Sequence, residues 1–118
     1  MASAVLTPEL ALRYLAELSI DIRASVLLSP DGSLAASDPP DRELGEALAE
    51  QVAFALAAAD RGATEPVAEV EATMAAGSVF VVRRAGRALA VVTRRYALSS
   101  LVRYDLRQVL ADLVEEDA

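Results

Sequence analysis

Apolar and polar positions change their period several times along the chain, and each change marks an element. Thr7-Pro8-Glu9 opens the first: Thr caps free N–H groups, Pro suits a first helical turn, and Glu answers the positive end of the helix dipole. Leu10, Ala11, Tyr14, Leu15 and Leu18 then recur at helical spacing, with Arg13 and Glu17 opposite. An amphipathic helix burying those apolar residues is expected.

From Arg23 the period shortens. Residues 24–28 are a short apolar run, Ser29-Pro30-Asp31-Gly32 follows, and a second run takes residues 33–36. Pro presets φ and Gly accepts a positive one, so the pattern predicts a β-hairpin. A calcium loop at Asp31-Gly32 is excluded, because the alternating oxygen ligands it needs are missing.

Ser37-Asp38-Pro39-Pro40-Asp41 interrupts the chain, and a helix over about residues 42–60 follows, ending near Gly62. At about 100° per residue its apolar arc runs from Phe54 round to Ala49 and spans roughly 220°, about twice the stripe one core face needs. Glu43, Glu46, Glu50, Asp60 and Arg61 share the remaining sector. One sheet cannot cover such an arc. Much of the excess is Ala, which lets a second helix approach closely, so self-association through this face is expected. The plainer explanation is that exposed Ala costs little and forms helix well.

Beyond Pro66 strand patterns take over. Val70, Ala72 and Met74 alternate with Glu69, Glu71 and Thr73, Ala76-Gly77 turns the chain, and residues 78–82 are almost continuously apolar. Arg84-Ala85-Gly86-Arg87 is a second turn and residues 88–93 a further strand, which makes an antiparallel meander. A final helix opens at Ser99 or Ser100 and carries Val102, Leu106, Val109, Leu110 and Leu113 on one stripe. The order is α-β-β-α-β-β-β-α, a five-stranded antiparallel sheet with helices on its faces, in the α+β class. The length of 118 residues gives one domain, residues 1–118, with an acidic tail at about 115–118.

Composition narrows the chemistry. The chain has no Cys, His, Trp, Lys or Asn, and all eleven of its cations are Arg. Thiolate nucleophiles, Ser-His pairs, Cys/His zinc sites, Schiff bases and Walker-type phosphate loops are therefore excluded. No catalytic residue, cofactor or metal site is expected. Residues 1–6 carry no positive charge and too short an apolar run for a signal peptide. The uncharged stretch ending at Val82 is about half the length needed to cross a bilayer. A cytoplasmic protein without membrane insertion is expected.

The net charge of −7 is uneven. Residues 1–82 carry four Arg against thirteen acids, residues 83–107 carry seven Arg against Asp105 alone, and the rest is acidic. Arg83, Arg84, Arg87, Arg94 and Arg95 flank one hairpin and are candidate partner-binding residues. The acidic total and the lack of an aromatic residue among them argue against nucleic acid. An acidic protein partner and a solvated, edge-protecting charge cluster remain.

The stretch from Arg23 to Ser37, with its Asp-Gly turn and Leu34-Ala35-Ala36-Ser37 strand, resembles the first hairpin of the roadblock (dynein light chain) family. The Ala-rich middle helix, the hairpin over residues 79–93 and the last helix with Arg103-Tyr104-Asp105-Leu106-Arg107 resemble that family in the same order. The resemblance implies a long middle helix on one face of the sheet and the two terminal helices on the other. It also implies pairing through the middle helix and third strand, which makes Ala47, Gln51, Phe54, Ala55, Ala58, Val70 and Ala72 candidate interface residues.

Bacterial members of that family typically bind small Ras-like GTPases and modulate their nucleotide cycle, and none is expected to be an enzyme. The Arg-only, Ala-rich usage fits a GC-rich bacterial genome and favours this branch. The resemblance thus implies a non-enzymatic homodimeric regulator with a GTPase partner. The alternatives are a structural scaffold subunit and, with few convergent polar residues to support it, a small-ligand sensor.

Overall fold

The computed structural model describes residues 6–95 and 97–116, the side chains of Met74, Glu115 and Glu116 excepted. The acidic tail expected at about 115–118 lies outside the described side chains. The elements are α1 (Pro8–Leu18), β1 (Ile22–Leu28), β2 (Leu34–Asp38), α2 (Arg42–Arg61), β3 (Glu69–Met74), β4 (Gly77–Arg84), β5 (Arg87–Arg94) and α3 (Ser99–Glu116). Thr7 Oγ1 accepts from Leu10 N–H at the start of α1, and Asp41 Oδ1 from Leu44 N–H at the start of α2. Each satisfies a donor that the first helical turn leaves free.

The strands form one antiparallel sheet in the order β2-β1-β5-β4-β3. Val26 lies opposite Ala90, and Phe80 opposite Val91. Two tight turns set these registers. Gly32 takes φ +87 and its N–H donates to Ser29 O at 2.8 Å, while Asp31 Oδ1 accepts from the N–H and hydroxyl of Ser33. Between β4 and β5, Ala85 and Gly86 both take positive φ, 52 and 82. That is the two-residue turn whose twist matches a hairpin.

Alternation splits the sheet into two cores. Leu27, Phe80, Val82, Leu89 and Val91 face α1 and α3, and Val26, Leu28, Val81, Ala88 and Ala90 face α2. The middle helix therefore has one face of the sheet to itself and the terminal helices share the other. α3 buries the stripe predicted for it, Val102, Leu106, Val109, Leu110 and Leu113.

The orientation of α1 differs from expectation. Ala11, Leu12 and Leu15 are fully buried, while Leu10, Tyr14 and Leu18 are 46, 51 and 43% exposed. On a helical wheel Leu12 stands about 160° from Tyr14, so a single sheet cannot bury both. The sheet takes Leu12, and the row through Tyr14 turns outward.

Candidate functional site

The buried stripe of α2 is narrow: Gly45, Ala49, Val52 and Leu56 touch the sheet, an arc of about 60°. Gly45 allows the approach, because a Cβ there would stand 2.9 Å from side-chain atoms of Leu34 and Ser37. The outward ridge carries Leu44, Ala47, Gln51, Phe54, Ala58 and Arg61, all exposed, with Phe54 at 72%. These six positions are spaced three, four, three, four and three residues apart. Ala55 is half-buried beside them.

β3 is an edge strand on the same side of the molecule. Val70 packs partly against the core beneath α2, and Ala72 on the same side of the strand is exposed. The structure thus brings all seven candidate interface residues to one surface made of α2 and β3.

Three carboxylates hold this surface together. Asp60, in the last turn of α2, accepts from Arg83 Nη2 at 2.7 Å and Nη1 at 3.1 Å, and from Val67 N–H at 2.8 Å. Those bonds, Arg83 first, hold the Asp60 carboxyl below the usual aspartate range. Arg83 N–H also donates to Ala68 O at 2.7 Å. One cluster therefore ties α2, β4 and the entry to β3.

On the other face of β3, Glu69 accepts from Arg107 at 2.9 Å and from Arg103 at 3.2 Å, and Glu71 accepts from the Ser99 hydroxyl at 2.7 Å. The hydrogen bond from Arg107 is the main cause that lowers the Glu69 pKa. α3 thus pins the edge strand through the strand's own acids.

The five candidate partner-binding arginines do not form one patch. Arg83, Arg84 and Arg87 stand at the β4–β5 turn, and Arg94 and Arg95 at the far end of β5. Arg94 lies seven positions along β5 from Arg87, roughly 23 Å of chain. Arg83 is occupied by Asp60, while Arg84, Arg94 and Arg95 are exposed and Arg87 half-buried.

Asp60, Glu69 and Leu44 were not singled out from the sequence. Asp60 had a signal: on the wheel it sits beside the buried stripe, where a carboxylate needs a partner. Among the described residues, no group of three or more His, Cys, Asp or Glu could hold a metal ion, and no helix is long and apolar enough to cross a membrane.

No protein-family model matches the sequence, and no curated protein matches it. Solved structures do match in fold. A roadblock/LC7 domain from Streptomyces avermitilis superposes with a TM-score of 0.85 at 17% identity, covering 93% of this chain and 97% of that one. Myxococcus xanthus MglB gives 0.70 at 17% identity, covering 89% and 83%. The gliding protein MglB of Thermus thermophilus gives 0.68 at 16%, covering 90% and 84%. The chain has the roadblock/LC7 fold.

Proposed function

We propose that the chain is a non-enzymatic cytoplasmic regulator or adaptor that pairs with itself and binds a small Ras-like GTPase, modulating its nucleotide cycle. The observation that carries this reading is the bare apolar ridge of α2 beside the free edge of β3. The ridge spacing reads the same in both directions, so an antiparallel copy sets Gln51 opposite Phe54, Ala47 opposite Ala58 and Leu44 opposite Arg61. A two-fold interface needs that self-complementarity. Ala at the flanking positions permits close helix approach, and joining two β3 edges covers backbone groups that would invite aggregation.

The GTPase part rests on the resemblance to the roadblock family and on the fold shared with MglB. Such a regulator acts by contacting one conformation of the switch loops better than the other. Arg83, Arg84, Arg87, Arg94 and Arg95 are the docking candidates, with Arg83 held by Asp60.

The test mixes the purified chain with GDP-loaded and GTP-loaded forms of a Ras-like GTPase encoded beside it. Binding that prefers one form supports the reading, and binding to neither overturns it. Binding with GTP hydrolysis and exchange unchanged identifies a scaffold instead.

A further inference from the structure

One flank of α3 lies along β3 and the end of β4, and charges meet there in rungs. Glu71 accepts from the Ser99 hydroxyl at 2.7 Å and stands 3.7 Å from Arg103. Glu69 accepts from Arg103 at 3.2 Å and from Arg107 at 2.9 Å. The next rung, one step toward the β4–β5 turn, is Arg84. It follows Val82 by two positions, so alternation turns its side chain to the α3 face.

Neither neighbouring element offers Arg84 an acid. Two residues before Glu69 the chain has Val67, and on α3 the positions that follow Arg107 along the same flank are Ala111 and Val114. Asp60 lies on the opposite face of the sheet, engaged by Arg83. Among the described residues no hydrogen bond or ion pair engages the Arg84 side chain. Three guanidiniums thus serve two carboxylates, and the spare one stands at the open end. A hollow of about 190 Å3 opens there, walled by Arg84, Arg107 and Glu69 and reaching between Ala68, Val82 and Leu110. Arg107 donates to Glu69 through Nη1 alone, so its other N–H groups are left for a second acceptor.

We infer that this hollow takes an acidic residue of a protein partner, together with an apolar side chain beside it in the partner's sequence. The incoming carboxylate completes the third rung by accepting from Arg84 and Arg107, whose forks match it. Its apolar neighbour covers Ala68 and fills the space above Val82 and Leu110. The volume decides against a free metabolite, since small-molecule sites run to about 300–1,000 Å3 and this one holds a single side chain. A lone phosphate would leave the apolar wall uncovered, and a nucleic acid would meet a chain of net charge −7. The occupant's chemistry rests on the reading of the chain as a regulator that binds protein, and it does not require that protein to be a GTPase.

The probe is a display library of random short peptides, selected on the full chain at physiological salt. Selected peptides should carry Asp or Glu beside Leu, Ile or Val, and selection on the Arg84→Gln chain should lose that pattern. The best peptide, labelled and read by fluorescence anisotropy, should bind saturably. Arg84→Gln should weaken it at least about tenfold. Arg84→Lys keeps the charge without the fork and should fall between the two. Arg94→Gln removes the same charge at the far end of β5 and should leave binding unchanged. Selection without acidic residues overturns the inference. Equal weakening by Arg84→Gln and Arg94→Gln means bulk charge attraction and overturns it too. The full chain carrying Glu115→Gln, Glu116→Gln and Asp117→Asn should bind the peptide as the unaltered chain does. A gain of more than about tenfold would instead assign Arg84 to the chain's own acidic tail and overturn the partner. A GTPase that binds a chain showing no acidic selection leaves the proposed function standing and overturns this site alone.

Discussion

Arg83 and Asp60 share two hydrogen bonds, 2.7 and 3.1 Å long, across 23 residues of chain. The side chains are 19 and 35% exposed, so solvent screens the pair only in part. Because one fork closes on one carboxylate, the end of α2 is held in a fixed position over β4.

This pair predicts a pH dependence. The folded pKa of Asp60 lies below its unfolded value, about 4, so the contribution to stability is full above that value and is lost as pH falls through the folded pKa. Asp60→Asn should melt below the unaltered chain at pH 7 and at pH 5, and the gap should close in more acidic buffer. Thermal melts by circular dichroism check this. A gap unchanged down to pH 2 means that the carboxylate charge is not what the latch uses.

Phe54→Arg is expected to abolish pairing and leave the fold intact. At 72% exposure the side chain contributes little to the core, so stability should change by less than about 0.5 kcal/mol. Light scattering should fall from two chain masses to one, and the urea midpoint should match that of the unaltered chain diluted to its monomer.

Gly45→Val should destabilise the chain by about 2 kcal/mol, through overpacking against Leu34 and Ser37. Ala gains roughly 1 kcal/mol of helix propensity over Gly, so Gly45→Ala should lose less. Urea denaturation ranks the three chains, and stability rising from Gly to Ala to Val would contradict the close approach.

Ala85 holds φ 52, where a Cβ is strained. Gly at this position relieves the strain, and Ala85→Gly is expected to stabilise the hairpin by about 0.5–1 kcal/mol despite the added freedom of the unfolded chain. A lower urea midpoint would show that the turn tolerates Ala.

Much of the fold was legible because its signals are local. Two turns are written in Pro-Asp-Gly and Ala-Gly, the strands alternate, and α3 carries one clean apolar stripe. The wide arc of α2 divides: Gly45, Ala49, Val52 and Leu56 meet the sheet, and Leu44, Ala47, Phe54 and Ala58 stand exposed. The rotation of α1 was not legible, because two apolar rows, one through Leu12 and one through Tyr14, compete for one sheet. The fate of the arginines was hidden for another reason. Seven of them crowd residues 83–107, but the acids that engage Arg83, Arg103 and Arg107 lie 23 to 38 positions away in sequence, and only the fold brings them near.

The strand order has a consequence for how the chain is made. β5 lies between β1 and β4, yet it is the last strand to be synthesised. Until it emerges, the β1–β2 and β3–β4 hairpins have nothing to join them, and neither core can close: β5 supplies Leu89 and Val91 to one and Ala88 and Ala90 to the other. Folding must wait for nearly the whole chain, as nonlocal pairing requires. A truncation that reaches β5 therefore removes a shared wall of both cores, whereas one confined to the end of α3 strips Leu110 and Leu113 from one core alone.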